Sequence, residues 1–157
     1  MIQRISWDEY FMKMAYLAAE RSTCLRRKVG AVIVGDHRVI STGYNGACRG
    51  TTDCLELGCL RDQMGIPSGT RHEICRAVHA EQNAIIQAAV LGTSTRGATL
   101  YCTHSPCILC AKMMVNAEIA RVVISEVYSE TSFEDLFREA GIEVTYLPMK
   151  GCTSDES

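Results

Sequence analysis

The sequence predicts a single α/β domain built on a five-stranded mixed sheet, and three observations carry that prediction. Its 157 residues are 47% hydrophobic, which over this length builds one sizeable core and hardly two. Two β-branched runs near the amino end flank a short turn sequence, the pattern of an antiparallel hairpin. Farther along, strand-like runs alternate with helix-like ones, which calls for parallel pairing and for helices packed on the sheet.

The first helix opens at Ser6-Trp7-Asp8-Glu9, a capping box in which Ser6 and Glu9 satisfy free helix-end amides, and its apolar period runs to Ala19. Val29 to Val34 and Val39 to Tyr44 are the hairpin strands, joined at Gly35-Asp36-His37-Arg38. Residues 45–76 are rich in glycine and cysteine and show little periodicity. A structureless loop this long is unusual unless something pins it, and the expected pin is a second metal ion. A helix follows from Ala80 to Leu91, stopped by Gly92, and then a strand from Ala98 to Thr103. Pro106 opens the next helix, through Asn116, because proline is tolerated in the first turn, where its missing amide is not needed. Arg121 to Ser125 forms the fourth strand. Ser132-Phe133-Glu134-Asp135 caps a last helix that Gly141 ends, and Ile142 to Leu147 is the fifth strand. The domain is expected to span residues 1–150, with 151–157 as a flexible tail.

Composition narrows the function classes. A net charge of −2 provides no large positive field, so nucleic-acid binding by bulk electrostatics is not indicated. No apolar run approaches the roughly 20 residues of a membrane helix. Nine cysteines, an odd count with no secretory leader pattern, point to metal ligation or free thiols in a reducing compartment, and the expected location is cytoplasmic.

The chemistry sits in two short motifs. His79-Ala80-Glu81 and Pro106-Cys107-Ile108-Leu109-Cys110 form an H-x-E and P-C-x-x-C pair, the signature of zinc-dependent deaminases. Cys107 and Cys110 lie three apart on a helix and share a face, where both sulfurs reach one ion; the first turn of a helix also favours thiolate. His79 supplies the third ligand, and the fourth tetrahedral position is left to a water whose pKa zinc lowers to about 7. Glu81, two positions from His79, is better placed beside that water than on the metal, so its expected role is proton transfer. A lone C-x-x-C also fits a structural zinc knuckle or buried thiols. The H-x-E that opens the preceding helix is what favours catalysis.

Beyond these motifs, the sequence resembles the deoxycytidylate (dCMP) deaminases, most closely their bacterial and phage branch, from about Ser6 to Leu147. The matching segments are Arg21-Ser22-Thr23-Cys24, Val29-Gly30-Ala31-Val32-Ile33, Gly43-Tyr44-Asn45-Gly46, His79-Ala80-Glu81-Gln82-Asn83-Ala84-Ile85, Thr103-His104-Ser105-Pro106-Cys107 and Ala140-Gly141-Ile142-Glu143-Val144. The resemblance implies a three-layer α/β/α cytidine deaminase-like fold. It also implies conversion of dCMP and water to dUMP and ammonia, a supply step for thymidylate synthesis. A homo-oligomer, often a hexamer, with dCTP and dTTP as allosteric effectors, is a further implication.

It assigns Asn45 to the sugar; an asparagine before Gly46 is equally at home in a turn. Arg26 or Arg27 is the expected phosphate ligand, since a guanidinium fork matches an oxyanion, and Tyr128 is the candidate for stacking near the base. Cys24, Cys54, Cys59, His72 and Cys75 form a second candidate metal cluster. The resemblance favours Cys24, Cys54, His72 and Cys75 as ligands of a structural zinc, with Cys59 the spare.

Two other functions remain open at this level. One is the same zinc chemistry on tRNA adenosine, cytosine or a guanine derivative. The other is a closed zinc scaffold without catalysis, in which Glu81 would have no purpose.

Overall fold

In a computed structural model, which describes residues 2–151, the chain runs α1 (Trp7–Ala19), β1 (Gly30–Gly35), β2 (Arg38–Tyr44), β3 (Gly46–Ala47), α2 (Cys54–Leu57), α3 (Leu60–Gln63), β4 (Ala77–Val78), α4 (Ala80–Leu91), β5 (Thr99–His104), α5 (Ile108–Asn116), β6 (Arg121–Glu126), α6 (Phe133–Ala140) and β7 (Glu143–Tyr146). The expected tail falls, apart from Gly151, outside the described residues. The main sheet has five strands in the order β2-β1-β5-β6-β7. β1 pairs antiparallel with both β2 and β5, whereas β5, β6 and β7 run parallel, so the sheet is mixed as expected. Asp36 and His37 turn the hairpin with φ of 50° and 56°, the positive pair that matches the twist of the strands on either side.

Side chains that alternate along each strand divide the core into two. Ala31, Ile33, Leu100, Val122 and Ile124 face one way and pack with Ala84 of α4, Met114 of α5 and Phe133 and Phe137 of α6. Val32, Val34, Tyr101 and Val123 face the other way, onto Phe11, Met12 and Ala15 of α1. The result is three layers, α/β/α. A three-part polar clamp fixes the α1 side: Asp8 accepts from Tyr101 Oη at 2.7 Å and pairs with Arg121 Nη2 at 2.7 Å.

Glycine brings the layers close at two places. A Cβ on Gly30 would stand 1.9 Å from the Ala15 carbonyl oxygen, and one on Gly43 would stand 2.2 Å from that of Ala80. Bare backbone on β1 and β2 therefore lets α1 and α4 settle directly onto the sheet.

Three expectations need correction. The helix expected from Pro106 begins at Ile108, because Cys107 holds an extended backbone (φ −70°, ψ 165°) as its N-cap and leaves Pro106 outside. Ser132 stands at the N-cap of α6 but makes no side-chain cap bond. It already has helical dihedrals (φ −59°, ψ −21°), and its N–H donates instead to Glu130 Oε1 at 2.6 Å. Finally, residues 45–76 do not rely on metal alone for order. β3 and β4 zip the two ends of this insertion together, with Gly46 opposite Val78 and Ala47 opposite Ala77. Within it, Asp53 caps α2 through the N–H of Leu55 at 2.9 Å, and Arg26 and Arg61 tie α3 to the segment that follows it.

Candidate active site

His79 follows β4 directly and is the N-cap of α4, in extended backbone (φ −69°, ψ 154°). Its N–H donates to Gln82 Oε1 at 3.0 Å, which fixes the chain where it enters the helix. Cys107 caps α5, and Cys110 lies in the first turn of that helix. Both helices thus direct their amino ends at one spot, beyond the carboxyl end of β5, where their partial positive charge favours thiolate. The cysteines do not share a helix face as expected; Cys107 stands one residue outside, and its side chain lies beside the first turn.

The three side chains meet. His79 Nδ1 is 3.1 Å from Cys110 Sγ and 3.6 Å from Cys107 Sγ, and the two sulfurs are 3.6 Å apart. Tetrahedral zinc, with bonds of about 2.3 Å to sulfur and about 2.0 Å to nitrogen, sets its ligands roughly 3.5–3.8 Å apart. The donor set therefore fits zinc and leaves one position for a further ligand. Among the described residues, no other three His, Cys, Asp or Glu ligand atoms come within 4.8 Å of one another. The hydrogen bond from Cys110, reinforced by His79, holds the Cys107 thiol down to about 3, while the Cys110 thiol is raised by that same bond and by burial.

Glu81 lies in the first turn of α4, 4% exposed, and reaches Cys110 without entering the ligand triangle. Burial raises its carboxyl above the ordinary carboxylate range. It lines a cavity of about 460 Å³ together with His79, Cys107 and the candidate substrate residues Asn45, Arg26 and Tyr128.

Asn45 is buried, lies between the end of β2 and the start of β3, and has no positive φ. Its Oδ1 accepts from Ser22 and from the N–H of Val29 at 2.9 Å, and its Nδ2 donates to Arg27 O at 2.8 Å. One amide hydrogen remains for a hydroxyl. Arg26 is engaged within the protein, with Nε on Asp62 at 2.7 Å, Nη2 on Ile66 O at 2.6 Å and Nη1 on Ser68 at 3.3 Å. Arg27 places its guanidinium 4.4 Å above the Tyr128 ring.

The Tyr128 ring in turn stacks on His104, at 5.3 Å between centroids and 19° between planes. His104 is the residue that sequence reasoning left without a role. It bonds Thr103 Oγ1 at 2.7 Å and faces Glu126 at 3.4 Å, and burial lowers its pKa to about 4, so at neutral pH it is an uncharged platform for Tyr128. The available signal was a histidine at the end of a strand, shortly before a metal-ligand motif.

The proposed second cluster is less assembled. Cys54 and Cys59 are buried, Cys24 and Cys75 half-buried. The His72 ring lies edge-on to His79 at 4.9 Å, in the wall of the main cavity. The ligand atoms of Cys24, Cys54, His72 and Cys75 do not converge as those of the catalytic trio do.

A His-Cys-Cys metal site with a buried carboxylate at its edge, set where two helices begin, defines the class of zinc-dependent nucleobase deaminases. Residues 5–126 match the family described as the cytidine and deoxycytidylate deaminase zinc-binding region. The chain belongs to that family. It is 42% identical over 144 residues to ComE operon protein 2 of Bacillus subtilis, covering 91% of this chain and 72% of that one. To the deoxycytidylate deaminase of Saccharomyces cerevisiae it is 46% identical over 145 residues, 91% of this chain but 45% of the yeast protein, so the chain spans about half the length of that relative. The dCMP deaminase of cyanophage S-TIM5, solved in complex with dCMP and dUMP, superposes with a TM-score of 0.78 at 32% identity, over 93% of this chain and all of that one.

Proposed function

We propose that this protein is a zinc-dependent deoxycytidylate deaminase that converts dCMP and water to dUMP and ammonia. The observation that carries this reading is the meeting of His79, Cys107 and Cys110 beside buried Glu81, in a cavity large enough for a nucleotide. The names of the yeast and cyanophage relatives choose the substrate among the nucleobases that such a site can treat.

His79, Cys107 and Cys110 would hold the zinc, which when bound supplies a Lewis acid that lowers the pKa of a water to about 7. Glu81 does the proton work. Its carboxylate takes a proton from the attacking water and passes it to the ring nitrogen beside the amino-bearing carbon, and it later helps protonate the departing ammonia. Burial keeps bulk water away from that carboxyl group. Tyr128, held between Arg27 and His104, lines the wall beside which the base would lie, Asn45 offers its free amide hydrogen to the sugar, and Arg26 stands on the same wall.

A second, structural zinc in the insertion belongs to the same proposal, with Cys24, Cys54, His72 and Cys75 as ligands. Its support is that Cys54, raised first by burial, is raised further by the thiols of Cys24, Cys75 and Cys59, so these sulfurs bear on one another. Because His72 faces the catalytic cavity, Cys59 competes with it for the fourth place. Metal analysis of fully reduced protein should find two zinc ions per chain. One per chain overturns the second site, and comparing His72→Ala with Cys59→Ala identifies the fourth ligand.

Control by dCTP and dTTP, a cytoplasmic location and assembly into a homo-oligomer, up to a hexamer, complete the proposal. Assembly is supported by apolar side chains left exposed on α4 and α5, among them Val90, Leu91 and Leu109. Among the described residues no helix is long and apolar enough to cross a membrane. The deciding experiment is ammonia release from dCMP, dCTP, cytidine, cytosine, guanine and a tRNA anticodon stem. Turnover of dCMP above all others is expected, and preference for any other substrate overturns the reading.

A further inference from the structure

We propose that Arg61 grips the 5′-phosphate of the substrate and thereby makes the site select a nucleotide over the corresponding nucleoside. The inference rests on the deoxycytidylate reading above and assigns to one side chain a selection that the reading leaves unassigned. Arg61 belongs to α3, inside the insertion, and is 8% exposed although it carries a full charge. Its Nη1 donates to Thr70 O at 3.0 Å. Its Nε is buried with no hydrogen-bond partner.

Among the described residues no carboxylate pairs with Arg61. Asp62 is paired with Arg26, Glu73 with Arg71, and Asp53 is spent on the amides that begin α2. A buried guanidinium with neither counter-ion nor a full set of acceptors is costly, and such groups persist where something else supplies the acceptor. Arg61 lines the catalytic cavity beside Ser68, Gly69 and His72.

The missing partner is thus an anion that enters the cavity from the solvent side. Nucleobase and sugar are uncharged, so a substrate of this site brings an anion only as its phosphate. With Nε buried and Nη1 on Thr70 O, the Nη2 amino group is the part of the guanidinium left for a phosphate oxygen, which a charged donor holds strongly. Arg26, by contrast, directs its donors at Asp62, Ile66 and Ser68 and is already neutralised. In this arrangement Arg26 holds the 66–70 segment in place, and Arg61 beneath it meets the phosphate.

The test is a binding measurement, independent of turnover. Calorimetry would give the dissociation constants of dUMP and of deoxyuridine for the wild-type protein, Arg61→Gln and Arg61→Lys. Arg61→Gln keeps a donor for Thr70 O but removes the charge. The expected result is a loss of dUMP affinity on the order of 30-fold, with deoxyuridine affinity within about twofold of wild type and partial recovery of dUMP binding in Arg61→Lys. Unchanged dUMP affinity in Arg61→Gln overturns the proposal. So does equal weakening of both ligands, which would make Arg61 a clamp for the Thr70 segment and nothing more. If wild-type protein binds neither ligand, the deoxycytidylate reading falls and this assignment falls with it, an outcome distinct from the other two.

Discussion

Glu81 and the ligand trio divide the labour by position. The carboxyl group lies beside the sulfurs and the imidazole without completing their triangle, so proton transfer and metal ligation are separable by mutation. Glu81→Gln preserves shape and removes the exchangeable proton site. Its expected phenotype is full zinc content with turnover reduced on the order of 100- to 10,000-fold, checked by metal analysis beside an ammonia assay. An emptied site would make Glu81 a ligand and end the proposed mechanism. Cys107→Ala and Cys110→Ala should each lose zinc and activity together, since two remaining donors do not hold an ion with an open position. Retention of one equivalent at the H-x-E site in either variant would contradict the ligand assignment.

Elements place these residues by close contact more than by long side chains. The missing Cβ of Gly43 lets the first turn of α4, which carries Glu81, rest on β2. In Gly43→Ala the new methyl group meets rigid backbone, the Ala80 carbonyl at 2.2 Å and the Ala84 nitrogen at 2.6 Å, so the helix has to shift. We expect a destabilisation of about 1–3 kcal/mol in denaturant unfolding, with a further fall in turnover as Glu81 leaves its place. On the opposite face, Asp8 ties α1 to β6 through Arg121. The hydrogen bond from Arg121 holds the Asp8 carboxyl below its ordinary 3.8, even against the cost of its burial. Its contribution is therefore complete above pH 3.8 and lost as the pH falls through the lower folded value. Asp8→Asn should unfold more easily near neutral pH and show a shallower decline in acid. An acid limb identical to wild type would place the linkage elsewhere.

For the whole molecule, a metal held by His79, Cys107 and Cys110 would join the two halves of the chain, because these residues belong to the amino ends of different helices. Zinc that binds only the folded site adds to stability, so chelation is expected to lower the thermal midpoint as well as abolish turnover. An unchanged midpoint would mean that packing alone holds α4 and α5 together. Much of this architecture was legible in the order of residues. Gly92 and Gly141 end helices where they were expected to, with φ of 71° and 77°, since local chain geometry alone makes them stops. That His79, Cys107 and Cys110 meet was equally legible, because a coordination site imposes residue type and short spacing whatever surrounds it. Side-chain partnership was not legible. Arg26 or Arg27 was the expected phosphate ligand; Arg26 pairs with Asp62, 36 positions away, and Arg27 lies over Tyr128, while Arg61, from within an insertion without periodicity, stands in the cavity wall with no carboxylate partner among the described residues. The edge-on contact of the His72 ring with His79 in the cavity wall was not legible either. Local sequence by itself determined which side chains converge at the candidate site and where helices stop. Tertiary structure alone decided which charges meet a partner and which remain free, because burial and counter-ions come from segments that are distant along the chain and adjacent only after folding.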